Sequence, residues 1–194
     1  MIYIIITLTM YKKVCFLYTA TNGLHQTKMN VCKKKLYLFA RLVQINYDIG
    51  YIENNQYVSE KRVSTICKPR CMNITDEISK INGISLSKAE KKGIDPETVI
   101  TTFINDIKNV DIIVGHNIDF HMKAILGEAV RYNILVDMSK YLIIDTISFY
   151  HDYGYIKLED LGTKLKINSE DYDKLDLIIM VFFKLYKKYQ KSLN

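Results

Sequence analysis

Between Asp111 and His121 the chain reads Asp-Ile-Ile-Val-Gly-His-Asn-Ile-Asp-Phe-His, an apolar run that breaks into a polar turn and resumes as a helix. Ile112 to Val114 has the short, apolar character of a buried strand. Gly115 ends it, and His116 and Asn117 form the turn. Asp119 is expected to cap the helix that continues through Phe120, Ala124, Ile125 and Leu126. Residues in such a turn, held by a rigid strand and helix, are well placed to do chemistry.

A second candidate set is cationic. Lys28 and the run Lys33-Lys34-Lys35 lie in a loop from His25 to Lys35 and suit phosphate contacts; the same run also reads as a solvated loop. The net charge of +6 is compatible with a polyanionic partner. It is also what A/T-rich coding supplies, since Lys, Ile, Asn and Tyr are all abundant. Of the four cysteines, only Cys67 and Cys71 are locally spaced, and Cys15 falls within an apolar strand. Free thiols are therefore expected rather than a structural zinc, in keeping with an intracellular protein.

These groups need a scaffold. With 194 residues, 48% hydrophobic and 25% charged, the composition suits one globular domain over 10–190. Met1–Thr9 reads as an apolar N-terminal extension, loose or disordered, with Met10 as an alternative start. That opening run lacks a basic start and a cleavage site, and about ten residues are too few to span a bilayer. Neither a secretion signal nor a membrane partner is expected.

Val14–Leu17 is expected as a first strand, Tyr37–Tyr47 as a second and Gln56–Cys67 as a third, joined as an antiparallel meander. The period then becomes helical. Thr75-Asp76-Glu77 caps a helix that Asn82-Gly83 stops, and Asp95-Pro96 opens another. Ile112–Val114, a helix over Asp119–Tyr132 and a strand over Tyr141–Ile144 follow. Leu158–Leu165 is a short helix, and Asp171–Tyr189 a long amphipathic one with Leu175, Ile178, Ile179, Phe182 and Leu185 inward. Strands followed by helices, with parallel additions late, indicate a mixed sheet covered by helices.

Several segments, in order, resemble the DnaQ-like (DEDD) 3′–5′ exonucleases. Tyr18-Thr19-Ala20-Thr21-Asn22-Gly23-Leu24 is similar to their first motif, Asp-Thr-Glu-Thr-Asn-Gly-Leu. Gly115-His116-Asn117-Ile118-Asp119-Phe120-His121 is similar to the second, Gly-His-Asn-x-x-Phe-Asp. Arg41–Ile45, Ile74–Ile84, Ile144-Asp145-Thr146 and Leu158-Glu159-Asp160-Leu161 resemble the intervening landmarks. The resemblance implies an RNase H-like α/β fold, a mixed five-stranded sheet of antiparallel meander plus parallel strands flanked by helices. It further implies a cleft in which two metal ions hold a single-stranded 3′ end.

Two-metal hydrolysis needs hard oxygen ligands, and the matched positions have largely lost them. The two acids of the first motif are Tyr18 and Ala20, and that of the second is His121, whose nitrogen suits zinc or manganese better than magnesium. In the last helix the third-motif acid aligns with Asp176 and its usual His with Asp171. Carboxylate charge at these positions falls from about −4 to about −1. A rebuilt one-metal site would have at most Asp176, Asp171 and His121, and no cofactor is expected unless residual activity calls for Mg or Mn.

The leading expectation is a catalytically degenerate exonuclease-like protein kept for nucleic-acid binding or as an accessory subunit. Tyr18, Phe120 and His121 would stack on bases, with Asn117 beside them and Lys28, Lys33, Lys34 and Lys35 on phosphates. The alternatives are an active exonuclease with unusual ligands and a protein-interaction module on the same scaffold.

Overall fold

The computed structural model describes residues 12–53, 56–149 and 154–191. The expected N-terminal extension at 1–9 and the alternative start at Met10 lie outside them. A five-stranded sheet has the order β3-β2-β1-β4-β5, with β1 Lys12–Thr21, β2 Leu42–Glu53, β3 Gln56–Ile66, β4 Ile112–Gly115 and β5 Leu142–Asp145. β1, β2 and β3 form the antiparallel meander. β4 joins β1 in parallel (Val14 opposite Ile112, Phe16 opposite Val114), and β5 joins β4 in parallel. The helices are α1 Asp76–Asn82, α2 Leu86–Lys92, α3 Pro96–Asp106, α4 Ile118–Arg131, α5 Leu158–Lys164 and α6 Lys174–Lys191.

Alternation along β1 divides two cores. Val14 and Phe16 face α5 and α6, where Leu161, Leu175, Ile178 and Phe182 bury them. Cys15 and Leu17 face α3 and α4, against Ile100, Phe103 and Ile125. Because the side-chain period is two, Tyr18 and Ala20 continue the α6 side of β1, whereas Thr19 continues the α4 side. Among the described residues no helix is long and apolar enough to cross a membrane.

Local signals hold where the chain closes its own hydrogen bonds. Thr75 accepts from the Ile78 N–H at 3.3 Å, and Gly83 ends α1 at φ 69, a left-handed conformation that glycine adopts without strain. Thr75→Ala is expected to cost about 1 kcal/mol, read as a lower denaturation midpoint; an unchanged midpoint would mean that the cap does not hold α1. Asp95 accepts from the Glu97 N–H at 3.1 Å and Pro96 opens α3.

Two expectations need correction, and one helix was not expected. The second strand begins at Leu42, not Tyr37, because Lys33–Leu38 winds into a 3-10 helix. Its Leu36 carbonyl and that of Phe39, just beyond it, accept hydrogen bonds from Arg131 at 2.8 and 2.9 Å. Asp119 does not cap α4; it sits inside the first turn and pairs with Lys123 four residues on at 2.6 Å. The helix Leu86–Lys92, capped by Ser85, is an addition; it buries only Ala89 and offers no apolar stripe to read.

Candidate functional site

The strand and helix termini that carry the two motifs meet at the C-terminal ends of the parallel strands β1 and β4, the end where open α/β sheets place their ligands. Gly115 makes the junction possible. A Cβ there would lie 2.5 Å from Ile118 Cδ1 and 3.1 Å from the Leu17 carbonyl oxygen, so a larger residue would displace the Ile118 side chain and crowd the β1 backbone. Asn117 turns the chain at φ 56. The first N–H groups of α4 are satisfied from a distance: Asp145, at the end of β5, accepts from Asn117 and Ile118 at 2.9 and 3.0 Å. A carboxylate at a helix N-terminus is favoured by the helix dipole as well.

Above this junction is a cavity of about 730 Å³, within the range of small-molecule and cofactor sites. Tyr18, Thr19 and Ala20 from β1 line it, with His116, Asn117, Phe120 and His121 from the β4–α4 turn. Ile78 and Ile81 of α1 form another wall, and Lys157, Glu159, Lys174 and Ile178 complete it from α5, α6 and the residue preceding α5. The structure thus brings together Tyr18, Ala20, Asn117, Phe120 and His121.

The structure does not bring in the rest of the expected set. Asp171 is exposed in the 3-10 turn Ser169–Asp171. Asp176 faces β3, where Arg62 Nη1 donates to it at 2.6 Å while Nη2 donates to Asp173 at 2.8 Å. Lys28, Lys33, Lys34 and Lys35 flank α4 instead of lining the cavity: Lys33 Nζ donates to Asn133 at 3.1 Å, and the Lys28 carbonyl accepts from Lys123 at 2.9 Å. Lys174, Glu159 and Lys157 line the cavity although no motif marks them. Only Lys174 carries a legible signal, the helical spacing that puts it one turn before Ile178.

His121 is 5% exposed and both ring nitrogens are engaged with the backbone. Thr19 N–H donates to Nδ1 at 3.1 Å, with the Thr19 hydroxyl 2.8 Å from the same nitrogen. Nε2–H donates to the His116 carbonyl at 3.1 Å. A ring that accepts at Nδ1 and donates at Nε2 is neutral, and burial pushes its pKa down to about 4. His116 is held similarly, between the Thr146 hydroxyl and the Ile156 carbonyl, each at 2.8 Å. Tyr18 packs edge-on against His121 with ring centroids 5.2 Å apart, and burial raises its pKa, so the phenol stays protonated.

This donor set does not fit a pair of hard divalent cations. Tyr18 is neutral, Ala20 has no donor atom, and His121 has no lone pair to spare. Among the described residues no three His, Cys, Asp or Glu side chains form a group that could hold a metal ion. The four cysteines are free thiols, Cys15 and Cys67 buried and Cys32 and Cys71 exposed.

No family model matches the chain, and no curated protein matches it. Solved structures do. Exonuclease I from Methylocaldum szegediense superposes with a TM-score of 0.69 at 16% identity, covering 93% of this chain and 41% of that one. E. coli exonuclease I in complex with a 5cy-dA13 oligonucleotide gives 0.67 at 15%, with 91% and 40% covered. An ExoI/SSB-Ct complex gives 0.68 at 16%, with 94% and 42% covered. The fold is therefore the RNase H-like α/β fold of these exonucleases, and the chain spans less than half their length.

Proposed function

We propose that the chain is a catalytically degenerate exonuclease-fold protein that binds single-stranded nucleic acid without cleaving it. The observation that carries this reading is the state of His121, a buried neutral imidazole with both nitrogens bonded to backbone at a position where the resemblance implies a metal-binding Asp. Ala20 and Tyr18 beside it supply no anionic oxygen. The residues from 10 to 190 act as one domain in this reading. Single-strand binding is supported by Tyr18 and Phe120, half-buried rings of the cavity lining that pack on either side of the buried His121 at centroid distances of 5.2 and 5.6 Å and leave aromatic surface for bases. Two neighbours in fold are complexes, one with an oligonucleotide and one with SSB-Ct. Lys28 and the Lys33–Lys35 run act outside the cavity, on phosphates further along the strand.

The chemistry is tested with a 3′-labelled single strand in magnesium or manganese. No shortening is expected at any protein concentration. Shortening that Asp176→Ala abolishes would establish an active enzyme with unusual ligands and end this reading. Binding is tested by the salt dependence of affinity. Lys33→Gln with Lys34→Gln should reduce the slope of log affinity against log salt by about 0.7 for each phosphate no longer neutralised.

A further inference from the structure

The cavity carries cations of its own. Lys174 opens α6 and lines the cavity with Ile178, one turn further on, and its ammonium is ion-paired with Glu159. The acids of the same turn are committed elsewhere. Asp173 accepts the N–H groups of Leu175 and Asp176, both at 2.9 Å, and shares Arg62 with Asp176. The rotation of α6 is set by Leu175, Ile178, Phe182 and Leu185, all buried against the sheet. Asp176 lies two residues from Lys174, about 200° around the helix, so bringing it to the cavity would turn that apolar stripe into water.

Resting on the non-cleaving reading above, we propose that Lys174 takes the role that divalent cations play in a two-metal nuclease cleft. The phosphodiester of a bound single strand is neutralised by the Lys174 ammonium, without metal, and Glu159 competes for that ammonium. The charges of the lining support this. Its acids are Glu77 and Glu159 and its bases Lys157 and Lys174, so they sum to zero, and the motif positions that line it, Tyr18, Ala20 and His121, add none of the carboxylates that the resemblance implies. A neutral cavity does not repel a phosphate. Ile78 and Ile81, which line the same cavity, add apolar surface against which a bound strand can pack. An ammonium is a compact charge that suits a phosphate oxygen without demanding coordination geometry.

The test measures fluorescence anisotropy of a short 5′-fluorescein oligothymidylate with the full chain in EDTA. The oligonucleotide is expected to bind there, and magnesium at constant ionic strength should not tighten it. Lys174→Gln should weaken binding by up to about five-fold and cut the salt slope by about 0.7. Glu159→Gln should do the opposite and tighten it, a split that loss of a merely structural ion pair would not produce. Both side chains are half exposed, 47% and 41%, so circular dichroism should be unchanged in either variant. Binding that requires magnesium, or that Lys174→Gln leaves untouched, overturns the role of Lys174 while single-strand binding stands. No binding by the unmodified chain under any condition removes the nucleic-acid reading itself, and this inference with it.

Discussion

Glu128→Gln is expected to destabilise the chain by about 3–5 kcal/mol, the cost of removing one partner from a buried charge network. Glu128 is 1% exposed on α4. It accepts from Arg41 Nε and Nη2 at 2.7 and 3.2 Å, from the Leu42 N–H at 3.2 Å and from Arg131 Nη1 at 3.3 Å. Arg41 also donates to the Arg70 carbonyl at 2.8 Å, and Arg131 holds the carbonyls of Leu36 and Phe39. One carboxylate therefore fixes the start of β2 and the end of the preceding 3-10 turn against α4. The isosteric amide keeps the shape but leaves two partly buried guanidinium groups without their counter-charge. Urea denaturation of the two proteins measures the difference. A loss below about 1 kcal/mol would place this cluster with ordinary surface ion pairs.

Acidification from about pH 6.5 to about pH 4 is expected to cost roughly 3 kcal/mol of stability through His121 alone. The sign follows from where each state takes up its proton. An unfolded chain protonates this imidazole near 6.5, whereas burial holds the native ring down to about 4. Between those values the unfolded state binds more protons, so stability present above pH 6.5 is lost as the pH falls, and the loss levels off below 4. Protonation of Nδ1 would also set an N–H against the Thr19 N–H donor. Burial lowers the pKa of His116 too, which adds a contribution of the same sign. The measurement is the denaturation midpoint across this range for the unmodified chain and for His121→Gln. Equal slopes in the two would show that His121 is not the titrating group.

Much of the architecture was legible because it is written in local chemistry. The Thr75 cap, the Gly83 stop, the Asp95-Pro96 opening of α3 and the apolar run Ile112–Val114 each concern a few neighbouring residues, and each forms as expected. The mixed sheet followed from strands preceding helices with parallel strands added late. The expectations that failed depend on partners far away in the chain. Tyr37 and Leu38 alternate like a strand, yet the neighbouring Leu36 and Phe39 carbonyls are taken by Arg131, more than ninety residues later. Asp119 has the spacing of a cap, but the helix already starts at Ile118, where Asp145 from another strand accepts the N–H groups of Asn117 and Ile118.

For the site, the residue types alone put Tyr18, Ala20 and His121 at positions where the resemblance implies acids, and β-strand alternation put Tyr18 and Ala20 on one face. Only the tertiary structure decided what those residues do. It buried His121 and bonded both its nitrogens to backbone, an outcome set by the distance between β1 and α4 that no spacing within either segment encodes. It also chose the side chains that α6 shows to the cavity. One residue is 100° of helix, so whether a lysine or an aspartate faces the cleft rests on how the apolar stripe from Leu175 to Leu185 seats against the sheet, and that is a property of packing.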